Sequence, residues 1–83
     1  MLPQFYVVLQ NDDIHSFENV VKVLNEKLSL TEEQGMLVAT IINTKGECVV
    51  ATAHFELAET ICCELIRQGL KSVIREKKQR LNP

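Results

Sequence analysis

The stretch FYVVLQNDD, residues 5–13, joins a strand-forming run to a turn. Residues 5–9 are aromatic, aliphatic or β-branched, and this composition predicts a strand. Asn11, Asp12 and Asp13 favour turn conformations, so we expect the strand to end there. Ser16 is a suitable N-cap, and the apolar residues that follow it have helical spacing: Phe17, Val20, Val21, Leu24 and Leu28. The chain is therefore predicted to begin with a strand, a turn and an amphipathic helix.

A second helix is predicted to begin at a capping box in residues 31–34. The hydroxyl of Thr31 and the side chain of Gln34 can each satisfy a free backbone N–H there. The helix continues through an apolar segment and is expected to end at the turn formed by residues 43–46. Its apolar residues are Met36, Leu37, Ala39, Ile41 and Ile42.

Two strands and a third helix complete the pattern. Residues 48–51 are a short apolar run, which predicts a buried strand. The third helix is predicted from about His54 to Gln68, with Gly69 as a left-handed C-cap. Its apolar stripe is predicted to consist of Leu57, Ala58, Ile61, Cys62 and Leu65. Residues 70–75 predict the last strand.

The order β-α-α-β-α-β predicts an α+β sandwich, with three helices packed on one face of a small, antiparallel three-stranded sheet. At 83 residues the chain is expected to be one domain, residues 1–83, ordered over about residues 5–75. The positive charges near its end belong to Arg75, Lys77, Lys78 and Arg80. We interpret residues 76–83 as a solvated basic tail, with a docking patch for an acidic partner as the alternative.

Composition excludes several classes of protein. The net charge of −2 argues against a nucleic-acid partner, and the apolar runs are too short to span a membrane. The N-terminal residues carry no secretory signal, so a cytoplasmic protein is expected.

Three cysteines without a CxxC motif argue against zinc, any other metal and a disulfide framework, and favour buried thiols. The sequence has no glycine-rich loop of the kind that binds phosphate groups, so no phosphate-containing cofactor is expected.

A catalytic function is not expected. His15 and His54 have no nucleophile placed beside them by the sequence, and Cys63 has no recognisable base. A small enzyme that uses Cys63 or His15 is the least supported interpretation. No catalytic residue, metal site or cofactor is therefore assigned.

The segment Asn11-Asp12-Asp13 has two interpretations. It is a set of turn and capping residues, or it is a cation site in which two carboxylates and an amide oxygen hold a protonated amine. Ile14, Phe17 and Val20 would add apolar atoms at the same end of the first helix. An amine site beside an apolar pocket suits a free N-terminus with a bulky hydrophobic first side chain.

Two motifs resemble the ClpS family, the adaptors that recognise N-degrons. VVLQNDD at residues 7–13 resembles the opening of these adaptors, and ELAET at residues 56–60 resembles a later segment. From Tyr6 to about Gln68 the spacing matches the bacterial adaptors without a gap. The resemblance implies the β-α-α-β-α-β sandwich. The C-terminal domain of a ribosomal stalk protein shares that fold, so fold alone does not establish function.

The resemblance also implies roles for particular residues. Asn11 and Asp12 match positions that bond the ligand's α-amino group, and Asn43 matches a histidine of the bacterial adaptors that helps to hold this amine. At Ala39 and at Phe17 the bacterial adaptors usually have methionine, so the shape of the pocket is expected to differ. The residues implied around the side-chain pocket are Asp13, Ile14, Phe17, Val20, Ala39, Ile42 and Leu70.

Further similarities to the ClpS family, and departures from it, concern the partners of this protein. The segment around His15 is more similar to variant bacterial adaptors and to the ClpS-like domain of eukaryotic N-degron ubiquitin ligases, which implies a structural role for this histidine. Unfoldase docking in the family involves a glutamate, matched by Glu56, and a lysine, replaced here by Ile61. Ile61 is interpreted as a core residue or as part of a different partner surface. Only about four residues precede the first strand, whereas bacterial adaptors carry a longer extension that delivery requires.

These observations predict a monomeric N-degron adaptor. It would bind proteins or peptides that begin with Phe, Leu, Tyr or Trp and deliver them to a Clp AAA+ protease through the unfoldase's N-terminal domain. One alternative is a regulatory or interaction protein that keeps the fold but has lost degron binding or delivery. Another is an N-degron-binding domain associated with a ligase.

Overall fold

A computed structural model describes residues 2–12 and 16–78. Within these ranges the elements are β1 (Phe5–Gln10), α1 (Phe17–Leu28), α2 (Glu32–Lys45), β2 (Glu47–Ala53), α3 (Phe55–Arg67) and β3 (Lys71–Glu76). The predicted element order and the α+β class are confirmed. No helix in the described ranges is long and apolar enough to cross a membrane.

The sheet has β1 in its centre. Strand order is β2-β1-β3, and β1 is antiparallel to both neighbours. Val7 pairs with Ala51 and Val8 with Val49, so Val50 is an extra residue in β2 and forms a bulge. Because successive side chains alternate between faces, Val7 and Leu9 point toward the helices.

The core lies between this inner face and the three helices. Leu9, Leu24, Ala58 and Leu65 are almost or completely inaccessible to solvent. Burial of each such leucine side chain contributes about 1.5–3 kcal/mol relative to leaving it exposed. Loss of one of them would therefore remove a large part of the stability of so small a domain.

Three predictions about burial are wrong. β2 lies at an edge of the sheet, and Val49 on its outer face is nearly half exposed, so the strand is not buried throughout. Leu57 is also nearly half exposed, because α3 turns Ala58, Cys62 and Leu65 toward the sheet. Cys63 follows Cys62 by about 100° around α3 and is exposed rather than buried.

The helix boundaries follow the local signals in the sequence. The Ser16 hydroxyl accepts a hydrogen bond from the Asn19 N–H at 3.1 Å. Thr31 and Gln34 form both bonds of the predicted capping box. Gly46 ends α2 with a φ of 89°, and Gly69 follows α3 with a φ of 86°, conformations that glycine adopts without strain.

The basic residues begin within the sheet and not in a free tail. Arg75 belongs to β3 and forms a two-point ion pair with Glu47 of β2, across the outer face of the sheet. The Lys77 N–H donates to the Gln4 carbonyl at 2.8 Å, and its ammonium lies 5.9 Å from the centre of the Tyr6 ring. Glu76 belongs to β3, one residue into the predicted tail, and Lys77 and Lys78 are exposed, while Arg80 lies outside the described residues.

Candidate functional site

A small pocket lies where β1 ends and α1 begins. Its volume is about 80 Å³. Its walls come from the end of β1, the start of α1, the second half of α2 and the residue before β3. The lining residues are Leu9, Gln10, Asn11, Asp12, Phe17, Val20, Ala39, Ile42, Asn43 and Leu70.

Polar groups lie at one end of the pocket, where a backbone hydrogen bond joins the segment after β1 to the end of α2. The Asn11 N–H donates to the carbonyl of Gly46, the C-cap residue of α2, at 2.8 Å. Asn43 lies three residues before Gly46, so this bond holds the turn after β1 beside the last turn of α2. Asn11 and Asn43 are exposed, and Asp12 is half-buried.

The remaining walls are apolar. Ala39 and Ile42 are three residues apart on α2, so both side chains face the same side of that helix. Leu70 is buried beside them, and Val20 of α1 is half-buried opposite. Phe17, the first residue of α1, is 40% exposed and lies at the pocket's mouth.

The chemistry of the lining suits a cation attached to an apolar group. Asp12 is the one ionisable group among the described lining residues, and Asn11 and Asn43 add amide oxygens that can accept hydrogen bonds. A protonated amine at this end would be met by acceptors, while an attached side chain would meet Ala39 and Ile42. No group of three His, Cys, Asp or Glu side chains suitable for a metal ion occurs in the described ranges.

Most of the residues proposed from the sequence meet at this pocket. Eight of them line it: Asn11, Asp12, Phe17, Val20, Ala39, Ile42, Asn43 and Leu70. Asp13, Ile14 and His15 lie outside the described residues. Leu9 and Gln10 also line the pocket and were not proposed. Their position directly before Asn11, at the end of β1, was the available signal.

The other candidate residues lie on α3, away from the pocket. Glu56 is exposed in the first turn, whereas Ile61 is half-buried and packs against the core. This packing agrees with the core interpretation of Ile61. His54 is the N-cap residue of α3 but its side chain makes no capping bond, and Cys63 is exposed on the same helix.

Comparisons with known proteins cover nearly the whole described chain. Residues 2–75 match the family described as ATP-dependent Clp protease adaptor protein ClpS. The ClpS adapter protein of Synechococcus elongatus is 38% identical over 73 residues, which are 87% of this chain and 77% of that protein. The ClpS 2 protein of Mesorhizobium japonicum is 39% identical over 59 residues, or 70% of this chain and 58% of that protein.

Two further matches concern a ligase and a solved structure. The E3 ubiquitin-protein ligase ubr-1 of Caenorhabditis elegans is 45% identical over 47 residues; these are 57% of this chain but 2% of the ligase. The structure of Agrobacterium tumefaciens ClpS2 bound to L-phenylalaninamide superimposes with a TM-score of 0.89 at 25% identity. That match covers 93% of this chain and 100% of the other.

Proposed function

Because the chain belongs to the ClpS family of Clp protease adaptors, we propose that it binds the free N-terminus of proteins whose first residue is bulky and hydrophobic. One observation carries the proposal. A single pocket combines amine acceptors, from Asn11, Asp12 and Asn43, with an apolar wall that includes Ala39 and Ile42. Phenylalaninamide, the ligand of the similar Agrobacterium protein, has the two features this pocket would recognise, a free amine and an apolar side chain.

The energetics suit reversible binding. Hydrogen bonds from the ammonium group to the acceptors of Asn11, Asp12 and Asn43 contribute roughly 1.5–3 kcal/mol each. Burial of a Leu or Phe side chain adds about 1.5–3 kcal/mol, and ordering of a flexible chain end offsets part of the sum. The result corresponds to a dissociation constant on the order of micromolar. Acetylation of the amine removes its charge and therefore its electrostatic attraction to the carboxylate of Asp12.

The pocket is smaller than an aromatic ring requires. Its volume is about 80 Å³, whereas a cavity that holds benzene in another protein measures roughly 150 Å³. Phe17 is half-exposed at the mouth, so its side chain can move without disturbing the core. We infer that the ring of Phe17 shifts when an aromatic first residue enters.

Delivery to a Clp protease is the second part of the proposal. Glu56 is exposed on α3 and would contact the N-terminal domain of a Clp unfoldase. Ile61 packs against the core and would contribute to this contact only at its edge. On this proposal the protein is a monomeric, non-catalytic adaptor that works in the cytoplasm.

A ligase-associated binding domain is the alternative function. The 45% identity to the worm ligase over 47 residues favours it, although the match covers only 2% of the ligase. Both functions require the same pocket, so the peptide test addresses their shared step. Binding to a purified Clp unfoldase N-terminal domain, and its loss in Glu56→Ala, distinguishes the adaptor from the ligase domain.

Fluorescence anisotropy with labelled peptides tests the shared step. The peptides differ only in their first residue, which is Phe, Leu, Tyr, Trp, Val or Glu, with an N-acetylated Phe peptide as control. We expect binding of the free-amine peptides with Phe, Leu, Tyr or Trp and none of the acetylated one. Asp12→Ala should abolish binding, whereas Glu59→Ala, at an exposed carboxylate of α3, should retain it. Absence of binding to every peptide by the folded domain would support an interaction protein that has lost the degron site.

A further inference from the structure

The end of β1 connects the pocket to both edge strands of the sheet. Gln10, the last residue of β1, lines the pocket and directly precedes Asn11. It pairs with Glu47, the first residue of β2, and with Lys71, the first residue of β3. The central strand therefore ends where its two neighbours begin, and the polar end of the pocket lies directly beside this point.

Side chains at this end of the sheet form a series of polar contacts across the three strands. Gln10 Nε2 donates a long hydrogen bond to Glu47 Oε1, at 3.5 Å. The same carboxylate accepts two hydrogen bonds from the Arg75 guanidinium, one of them from Nη2 to Oε1 at 2.9 Å. Glu47 thus links the third strand to the last residue of the central strand.

The ion pair between Glu47 and Arg75 spans a buried residue on the outer face of the sheet. In the strand register, Arg75 is opposite Tyr6 and Glu47 is opposite Gln10. Val8 lies between these two levels of β1, and its side chain is only 1% exposed. Because the guanidinium and the carboxylate meet in a two-point geometry, their positions are better defined than those of an ordinary surface pair.

Glu47 also adjoins the bond that brings the polar groups of the pocket together. It directly follows Gly46, whose carbonyl accepts the Asn11 N–H at 2.8 Å and so keeps Asn11 beside Asn43. Gln10 and Glu47 are the last pair between β1 and β2, and the end of a strand pair opens more readily than its centre. A contact that holds Glu47 in place therefore also stabilises the Asn11–Gly46 bond.

Resting on the proposed function, we propose that Glu47 and Arg75 are positioning residues for binding at this pocket. Neither is among the described residues that line it. They act through Gln10 and through the Asn11–Gly46 bond, and they keep the end of β1 in the arrangement in which amine acceptors from two elements converge. Without the ion pair this arrangement is populated for a smaller fraction of the time, and the apparent affinity falls by that fraction.

The test is a charge-reversal cycle in which isothermal titration calorimetry measures the affinity for phenylalaninamide. Glu47→Arg and Arg75→Glu each place like charges side by side, so each should weaken binding by about threefold or more. The double variant restores an ion pair, and the Gln10 side chain can then offer its carbonyl oxygen to the new arginine. It should bind within about twofold of wild type.

Glu64→Arg is the matched control. Glu64 of α3 forms an ion pair at 3.3 Å with Lys27 of α1, also partly exposed, and neither residue is among those described as lining the pocket. Its reversal should leave the affinity for phenylalaninamide within about twofold of wild type. A loss equal to that of Glu47→Arg would overturn the proposal, because it would show that any such ion pair supports binding.

Amide hydrogen exchange, followed by NMR, separates positioning from general destabilisation. In both single variants at the 47–75 pair, the Asn11 amide should exchange faster than in wild type. The factor should be larger than the one for the amide of Leu65, which lies in the core. Equal factors at the two amides would show that the ion pair only stabilises the domain, which contradicts the proposal.

Three binding results would also overturn the positioning role. They are unchanged affinity in both single variants, a double variant no better than the single ones, and effects of opposite sign in Glu47→Arg and Arg75→Glu. The last result would mean that the two charges act directly on the ammonium group of the ligand. Failure of phenylalaninamide to bind the wild type would instead overturn the proposed function.

Discussion

The backbone N–H of Asn11 donates to the carbonyl of Gly46 at 2.8 Å. This bond joins the end of the central strand to the C-cap of α2. It brings Asn11 beside Asn43, although 31 residues separate them in sequence. The polar end of the pocket thus depends on how α2 ends, and α2 ends at a glycine with a φ of 89°.

Substitution of this glycine should destabilise the domain. Gly46→Ala forces an L-residue into the left-handed region, which costs about 1–2 kcal/mol. No atom lies within 4 Å of the added Cβ, so the cost is conformational and not steric. For a domain of this size, each kcal/mol lowers Tm by roughly 4–8 °C. Gly46→Asn should lose less, because asparagine tolerates this conformation. Thermal denaturation of both variants measures the difference, and an unchanged Tm for Gly46→Ala would contradict the assignment of strain.

Much of the fold could be predicted because its signals are local. Ser16, Thr31 and Gly46 mark helix ends through bonds or conformations within a few residues of each. The exposure of Val49 and Leu57 could not be predicted in this way. Whether an apolar residue is buried depends on which strand is at the edge and on how a helix is rotated against the sheet, and both are set by distant contacts.

The candidate site could be predicted less completely than the fold. Composition at residues 11–13 left a simple turn and an amine site as alternatives, and the resemblance to a family supplied the contribution of α2. The close approach of Gly35 in α2 to Val21 in α1 had no signal in the sequence. Such a contact appears only when the two helices are packed together.

Introduction of a methionine at residue 39 should fill much of the pocket. Ala39 is buried at the pocket wall, and the longer side chain of Ala39→Met would fill much of a space of about 80 Å³. We expect affinity for peptides that begin with Phe or Trp to fall by about tenfold or more. Thr40→Met changes the adjacent, exposed residue and should leave affinity unchanged. Anisotropy titrations measure both, and equal affinities for the two variants would exclude Ala39 from the pocket.

The ion pair on the outer face of the sheet should make stability depend on pH. The hydrogen bond from the Arg75 guanidinium holds the pKa of the Glu47 carboxyl below its ordinary value of 4.5. Since the folded pKa lies below the unfolded one, the stabilisation is present above the unfolded value and is lost as pH falls through the folded value. The effect is small because both groups are solvent-accessible.

A double-mutant cycle with Glu47→Gln and Arg75→Gln isolates this contribution. Urea denaturation at pH 7 should give a favourable coupling between the two residues, and the coupling should weaken as the pH falls below 4.5. Coupling that persists at low pH, or grows there, would show that the interaction does not depend on the ionised carboxylate.

The three thiols should differ in reactivity. Cys63 is exposed, Cys62 is buried, and burial raises the pKa of the half-buried Cys48 thiol. A thiol reagent at pH 8 should therefore modify one cysteine quickly in the native protein, and all three after unfolding. Absorbance stopped-flow measurements follow the reaction. Cys63→Ser should remove the fast phase, and persistence of that phase in the variant would refute the assignment.

The resemblance to the adaptors implies that Ile61 replaces a lysine used in unfoldase docking, whereas its packing predicts a role in the core. Its side chain is half-buried against the core, so Ile61→Lys should lower the free energy of unfolding by about 1 kcal/mol through lost apolar burial. Ile66→Lys provides the matched control, because Ile66 is 52% exposed on the same helix and its replacement should change stability by less than about 0.5 kcal/mol. Urea denaturation compares the two variants. Equal stabilities of the two variants would contradict a contribution of Ile61 to the core.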